Sequence, residues 1–187
     1  MIFFGIGTGA YTLVLAWLPP FYTQLGWSAA HSGLLLGGLT LTEVVAGLAI
    51  SAVIDRFPDR RKLLYVVLLL LLAGLILLLI APVSMAIPAA LLLGVSIGAL
   101  FPLSLIITMD HVSNVRNAGS LMGFVQGGGY IIASTMPFLG GAIRENFASL
   151  AQAWLVMAAG VIFLLILASR FSPDTKVDTT SIRLATK

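Results

Sequence analysis

Six apolar stretches, each near the length of a bilayer crossing and joined by short connections, leave this chain few folds to choose from. They run from about Ile2 to Phe21, Ser32 to Ile54, Leu63 to Ile80, Ile87 to Thr108, Ala118 to Gly141 and Ala153 to Ser169. About 20 apolar residues in a helix cross about 30 Å of hydrocarbon. Backbone polar groups have no water to bond there, so spanning segments of this length are helical. The 187 residues are therefore expected to form an all-α membrane protein of six transmembrane helices. A polar tail, 170–187, follows without periodicity and reads as disordered.

Only 9% of the residues are charged against 59% hydrophobic, whereas an average soluble domain is roughly 25% charged. The excess of basic residues would suggest nucleic acid in a soluble protein, but Lys and Arg fall in connections and the tail, so no nucleic acid is expected as a partner. The absence of cysteine removes disulfides, thiolate metal sites and cysteine nucleophiles. Four basic residues lie in Asp55–Lys62, one in Met109–Asn117 and four from Arg170 onward, leaving Arg144 alone on the other side. By the positive-inside rule both termini are expected in the cytoplasm, in keeping with a bacterial cytoplasmic membrane protein of six spans.

The fifth stretch, NAGSLMGFVQGGGYIIASTMPFLGG, carries polar groups at membrane depth. On a helix Gln126, Tyr130 and Ser134 share one face, and Gly119, Gly123 and Gly127 form a small-residue stripe beside it for close helix packing. Polar side chains at this depth normally face a bundle interior or a water-filled cavity. In the first stretch Thr8, Tyr11 and Thr12 fall at i, i+3 and i+4 and make a second polar face; Trp17 reads as an interfacial anchor, and Pro19 and Pro20 as the end of the helix. The second stretch has Glu43 at its midpoint with Thr40 and Gly47 on the same face. An acid at the bilayer centre costs about 2.5 to 3.5 kcal/mol on insertion scales. It reads either as a protonatable or substrate-contacting group or as a hydrogen-bonded tie between helices.

The fourth stretch pairs Gly94 with Gly98 and then carries Phe101, Pro102 and Ser104. Pro102 has no N–H for the Gly98 carbonyl, which marks a kink. The third and sixth stretches are apolar all round and are expected to face lipid on most sides. Polar residues thus avoid every third segment, the pattern of two three-helix repeats. IDRFPDRRK clusters Asp55, Arg56, Asp59, Arg60, Arg61 and Lys62, while Asp110 and His111 sit at the end of the fourth stretch; together they are candidates for ion pairs at a cytoplasmic gate, beside the plainer role of a topology signal. His31, in the outer connection, reads as solvated.

YTLVLAWLPPFY at 11–22, DRRKLL at 59–64, ALFPLSLIITMDH at 99–111 and AGSLMGFVQGGGYIIAS at 118–134 occur in the order and spacing of a known group. The chain resembles the C-terminal half of the cyanate-transporter family within the major facilitator superfamily. The resemblance implies a twelve-helix transporter of two six-helix halves around a central cavity, with alternating access. The six spans here would be its seventh to twelfth, the ninth and twelfth facing lipid. Asp55–Lys62 then looks like the C-half copy of the superfamily's gating motif, with its glycine positions replaced by Phe57 to Arg60. The family pattern does not require an acid at position 43, so any role of Glu43 rests on its burial.

These readings converge on half of a secondary transporter for a small solute, a cyanate-like anion or a small polar organic molecule. Its pathway candidates are Thr8, Tyr11, Thr40, Glu43, Phe101, Ser104, Gln126, Tyr130 and Ser134. The expected partners are the lipid bilayer, the solute, and either an N-terminal six-helix half or a second copy of the chain. The alternative is a truncated or accessory membrane protein without transport of its own. An enzyme is not expected, since Glu43 stands alone and both histidines lie outside the spans; no cofactor or metal is called for. A channel finds no ring of charges or carbonyl filter in the sequence.

Overall fold

The computed structural model describes residues 1–57, 59–110, 115–147 and 149–169, with the side chains of 115–117 set aside. Six helices carry almost all of it: α1 (Ile2–Gln24), α2 (Ala29–Val53), α3 (Arg60–Ile80), α4 (Ala86–Asp110), α5 (Val115–Asn146) and α6 (Ala151–Ser169), with one 3-10 turn, Ile54–Arg56, between α2 and α3. Five of the six are long and apolar enough to cross a membrane. The exception is α5, whose 32 residues are diluted by Gln126, Ser134, Thr135 and its glycines. The polar tail and His111 lie outside the described residues.

Pro19 and Pro20 do not end α1, which continues to Gln24. The two prolines remove the donors for the Leu15 and Ala16 carbonyls, yet the helix continues past them and closes with Thr23 Oγ1 donating to the Pro20 carbonyl at 2.9 Å. The chain reverses at Gly26, whose φ of 90° suits a residue without Cβ. Ser28 then caps α2, its Oγ accepting from the His31 N–H at 3.2 Å. His31 is exposed and its Nδ1 lies 2.8 Å from the same Oγ. At the basic end Asp59 accepts the Arg61 N–H and starts α3.

α1 lies along α5, α2 along α4, and α3 against both α4 and α6. α1 and α4 also meet at the centre. Every residue of α4 from Ser96 to Leu100 is buried, so this helix is enclosed on all sides at mid-length. Lipid tails are as apolar as leucine, so helices in a bilayer associate through close fit and not through hydrophobic segregation. The glycines show where that fit is closest. A Cβ at Gly94 would stand 2.6 Å from the Leu39 carbonyl oxygen, and one at Gly98 would overlap the backbone of Glu43. Gly47 answers from α2, with the Gly98 carbonyl oxygen 3.1 Å from where its Cβ would be.

The small-residue stripe expected on α5 is not the one used within this chain. Gly119, Gly123 and Gly127 have nothing within 4 Å of a would-be Cβ. Gly129 and Gly140 instead meet Phe4 and Trp17 of α1, and Gly5 and Gly9 of α1 meet Ile132 and Met136. Spacing alone is the same for every such stripe, and the side chosen depends on what the facing helix offers. α3 and α6 each bury one stripe, Leu64 to Leu78 and Ala153 to Ala168, and leave their other sides uncovered, while the helix with least cover is α2, where only Ser32 and Leu39 are buried. Composition states how apolar a surface is, not what covers it.

At the end opposite the basic loop, aromatic residues tie α1 to its neighbours. Phe21 meets Trp154 edge to face at 5.6 Å, and the fully buried Tyr22 sends its hydroxyl to the Pro82 carbonyl at 2.9 Å.

Candidate functional site

Among the described residues α5 and α2 each leave a face without a partner, as the outer sides of α3 and α6 also do. On α5 it comprises Ser120, Gly123, Phe124, Gly127, Tyr130, Ile131, Ser134, Thr135 and Phe138, all exposed. On α2 it is apolar, with Leu34, Gly38, Leu41, Val45 and Leu48. α1 and α4 lie between them, and their side chains fill the floor.

Phe4 of α1 joins three helices there. Its ring is buried, yet it meets Tyr130 of α5 edge to face at 5.1 Å and Phe101 of α4 at 5.5 Å. Phe101 and Tyr130 remain 45% and 49% exposed although each ring meets Phe4. The structure thus brings together two of the sequence candidates through a residue that sequence reasoning missed. An apolar residue near a helix start carries no signal that separates Phe4 from ordinary packing.

The hydroxyl candidates behave differently. Thr40 donates to the Leu36 carbonyl at 3.0 Å, Ser104 to Phe101 at 2.8 Å and Ser134 to Ile131 at 2.8 Å. Each spends its proton on its own helix, the usual arrangement for Ser and Thr inside helices, and Ser104 is also buried. Their oxygens can still accept, but they have no free donor. Thr8 and Tyr11 of α1 and Gln126 of α5 are half-buried, and Tyr11 packs on the core. Glu43 differs again. Its backbone rests on Gly98, and its Oε2 is shut off from solvent without a hydrogen-bond partner among the described residues. The hydrogen-bonded helix tie is therefore absent for that oxygen within the described chain.

The charged candidates sit at the basic end, away from this face. Arg60, at the start of α3, pairs with Asp110, at the end of α4, at 2.9 Å. Arg61 approaches Asp59 at 3.9 Å. Asp55 and Arg56 are exposed and form no ion pair among the described residues. The cluster thus divides into one tie between helices, one local cap and three exposed charges, Asp55, Arg56 and Lys62. Among the described residues no group of three His, Asp or Glu side chains has the arrangement of a metal site.

The Major Facilitator Superfamily model matches residues 1–187. The chain is 37% identical over 172 residues to the cyanate transport protein CynX of Escherichia coli (strain K12), covering 92% of this chain and 44% of that protein. It is 31% identical over 170 residues to the 2-nitroimidazole transporter of the same organism, covering 91% of this chain and 42% of that protein. The chain thus spans less than half the length of these curated relatives. No solved structure matches it.

Proposed function

The chain belongs to the major facilitator superfamily, and we propose that it acts as the C-terminal six-helix half of a secondary transporter that moves a small solute by alternating access. The observation that carries this reading is the open face itself. Phe101 and Tyr130 expose their rings on either side of Phe4, on the same side of the chain as the unpartnered polar face of α5. An aromatic floor with few oriented polar groups is the usual make-up of a small-molecule site.

The helix pairing supports a three-plus-three repeat. Exchanging the first three helices for the last three carries α1 on α5 onto α4 on α2, and leaves α3 on α6 unchanged. An inverted repeat of this kind places its solute site near mid-membrane at the repeat interface. The uncovered faces of α2 and α5 are then where an N-terminal half, or a second copy of this chain, completes the cavity. With Asp55–Lys62 on the cytoplasmic side, the Arg60–Asp110 pair closes the inner end of α3 on α4 and belongs to the cytoplasmic gate.

The described helices carry no Lys or Arg at membrane depth. This half therefore serves a cyanate-like anion or a small polar organic solute through hydrogen-bond donors, Tyr11, Gln126 and Tyr130, with Thr8 and Glu43 beside them in the pathway. The cyanate and 2-nitroimidazole named for the two relatives are the solutes to test first. Uptake of each is measured in liposomes carrying the full-length gene product, with and without Gln126→Leu plus Tyr130→Phe. Loss of two donors should lower uptake by roughly tenfold or more, at about 1 kcal/mol for each hydrogen bond. Undiminished uptake in the double variant would refute the site assignment.

A further inference from the structure

α5 is interrupted by Pro137, and what surrounds that proline points to a function for two residues of α1. Pro137 has no N–H, so the Ala133 carbonyl one turn earlier loses its helical donor. An orphaned carbonyl in a lipid-filled setting is expensive unless another donor reaches it. Thr12 of α1 reaches it, its single hydroxyl proton shared between the Ala133 oxygen at 3.2 Å and the Gly9 oxygen of its own helix at 3.0 Å. One turn further along, the Trp17 indole N–H donates to the Pro137 carbonyl at 2.9 Å. The same ring fills the space over Gly140, where any Cβ would overlap it, and Arg144 stands over the ring at 5.7 Å from its centroid.

Ala133, Pro137, Gly140 and Arg144 follow at i, i+4, i+7 and i+11, so they form one stripe on α5. α1 grips that stripe on both sides of the proline. Two inter-helix hydrogen bonds, a glycine contact and a cation over a ring are concentrated where α5 has lost its own bond. A proline in a long helix is ordinarily a place to bend. Here the partner helix supplies the missing donor and fastens the segment beyond.

We propose that Thr12 and Trp17 are positioning residues that clamp α1 to α5 across Pro137, so that the two helices move as one rigid pair. The face bearing Gln126, Tyr130 and Ser134 then changes its exposure only when α1 moves with it. Neither residue needs to touch the solute. Their effect is to keep the proline from becoming an independent hinge.

The test uses the full-length gene product in a cysteine-free background, in liposomes, with spin labels on cysteines introduced at Leu15 of α1 and Phe138 of α5, both exposed. The native pair should give one narrow distance distribution. Thr12→Val keeps the side chain's shape, and Trp17→Phe keeps an aromatic ring while losing the indole's five-membered part over Gly140; together they remove both donors and should widen the distribution about twofold or add a second distance. Thr12→Ser, which keeps the hydroxyl, should restore the narrow form when Trp17 is present. Pro137→Ala supplies the decisive comparison, because it returns a backbone N–H to the Ala133 carbonyl. In that background Thr12→Val should have less than half its effect. A native distribution that is already double, an unchanged distribution in the double variant, or an equal effect of Thr12→Val with and without Pro137 overturns the clamp. Should the double variant fail to fold, Thr12→Ser against Thr12→Val makes the same decision alone. Cyanate uptake is read on the same samples and should fall roughly tenfold or more in the double variant, at about 1 kcal/mol for each of the two hydrogen bonds removed. The distances need no solute, so absence of cyanate uptake by the native protein counts against the solute and not against the clamp.

Discussion

Replacing Gly98 by alanine adds one methyl group where α2 and α4 have no room for it. The added carbon would overlap the Glu43 carbonyl and stand 2.8 Å from its Cα, so both sides of the contact are backbone and no side chain can turn away. Ordinary carbon–carbon contact begins near 3.5 Å, so the helices must separate by roughly 1 Å. Gly94 and Gly47 lie on the same seam, with distances of 2.6 and 3.1 Å to facing oxygens. A separation at Gly98 therefore loosens the whole row. Overpacking of this kind costs about 1 to 3 kcal/mol, set against a helix-propensity gain of about 1 kcal/mol for Gly→Ala. The expected net is a loss of up to about 2 kcal/mol. The control is Gly160→Ala on α6, where the new carbon meets only Ile6 at 3.6 Å, an ordinary contact. That change should be neutral or slightly stabilising. Both are measured as thermal midpoints of purified protein in detergent, followed by the fraction still monodisperse after heating. Gly98→Ala equal to or above Gly160→Ala in midpoint would show that the α2–α4 seam does not set the fit.

Tyr22→Phe takes the donor from the carbonyl of half-buried Pro82, so it should cost about 1 kcal/mol and lower the same midpoint. Ser28→Ala removes the cap of α2 and should cost about 1 kcal/mol, whereas Ser28→Asp, which can still accept the His31 N–H, should cost less. Arg60→Ala should change stability by less than about 1 kcal/mol, since the pair with Asp110 is partly exposed. If the pair gates transport, Arg60→Ala should alter uptake more than the midpoint, and the exchange Arg60→Asp with Asp110→Arg should recover more uptake than either single change.

The helical class and the helix count were legible in the sequence because hydrocarbon imposes them. A chain whose six helical segments include five long and apolar enough to cross a membrane must satisfy its backbone internally, and helices do that one segment at a time. Glu43, Gln126 and Tyr130 were legible for the same reason, as polar groups where lipid gives them no reward. The pairing of helices was not. Gly119, Gly123 and Gly127 have the spacing of a packing stripe, yet within this chain α5 turns Gly129 and Gly140 toward α1. Small residues permit an approach without directing it. Phe4 gave no warning, since it matters only because α4 and α5 bring Phe101 and Tyr130 to its ring; Thr12 was legible as part of a polar face, but not its partner, because Pro137 lies on a helix distant in sequence.

By itself the sequence determined that these residues form helices for a membrane and which positions carry unusual chemistry, since both follow from local composition and the solvent around it. Only the tertiary structure decided which polar groups are already spent, which glycines are filled and which faces stay uncovered. Those properties belong to pairs of surfaces, and a surface acquires its partner only when the chain has folded.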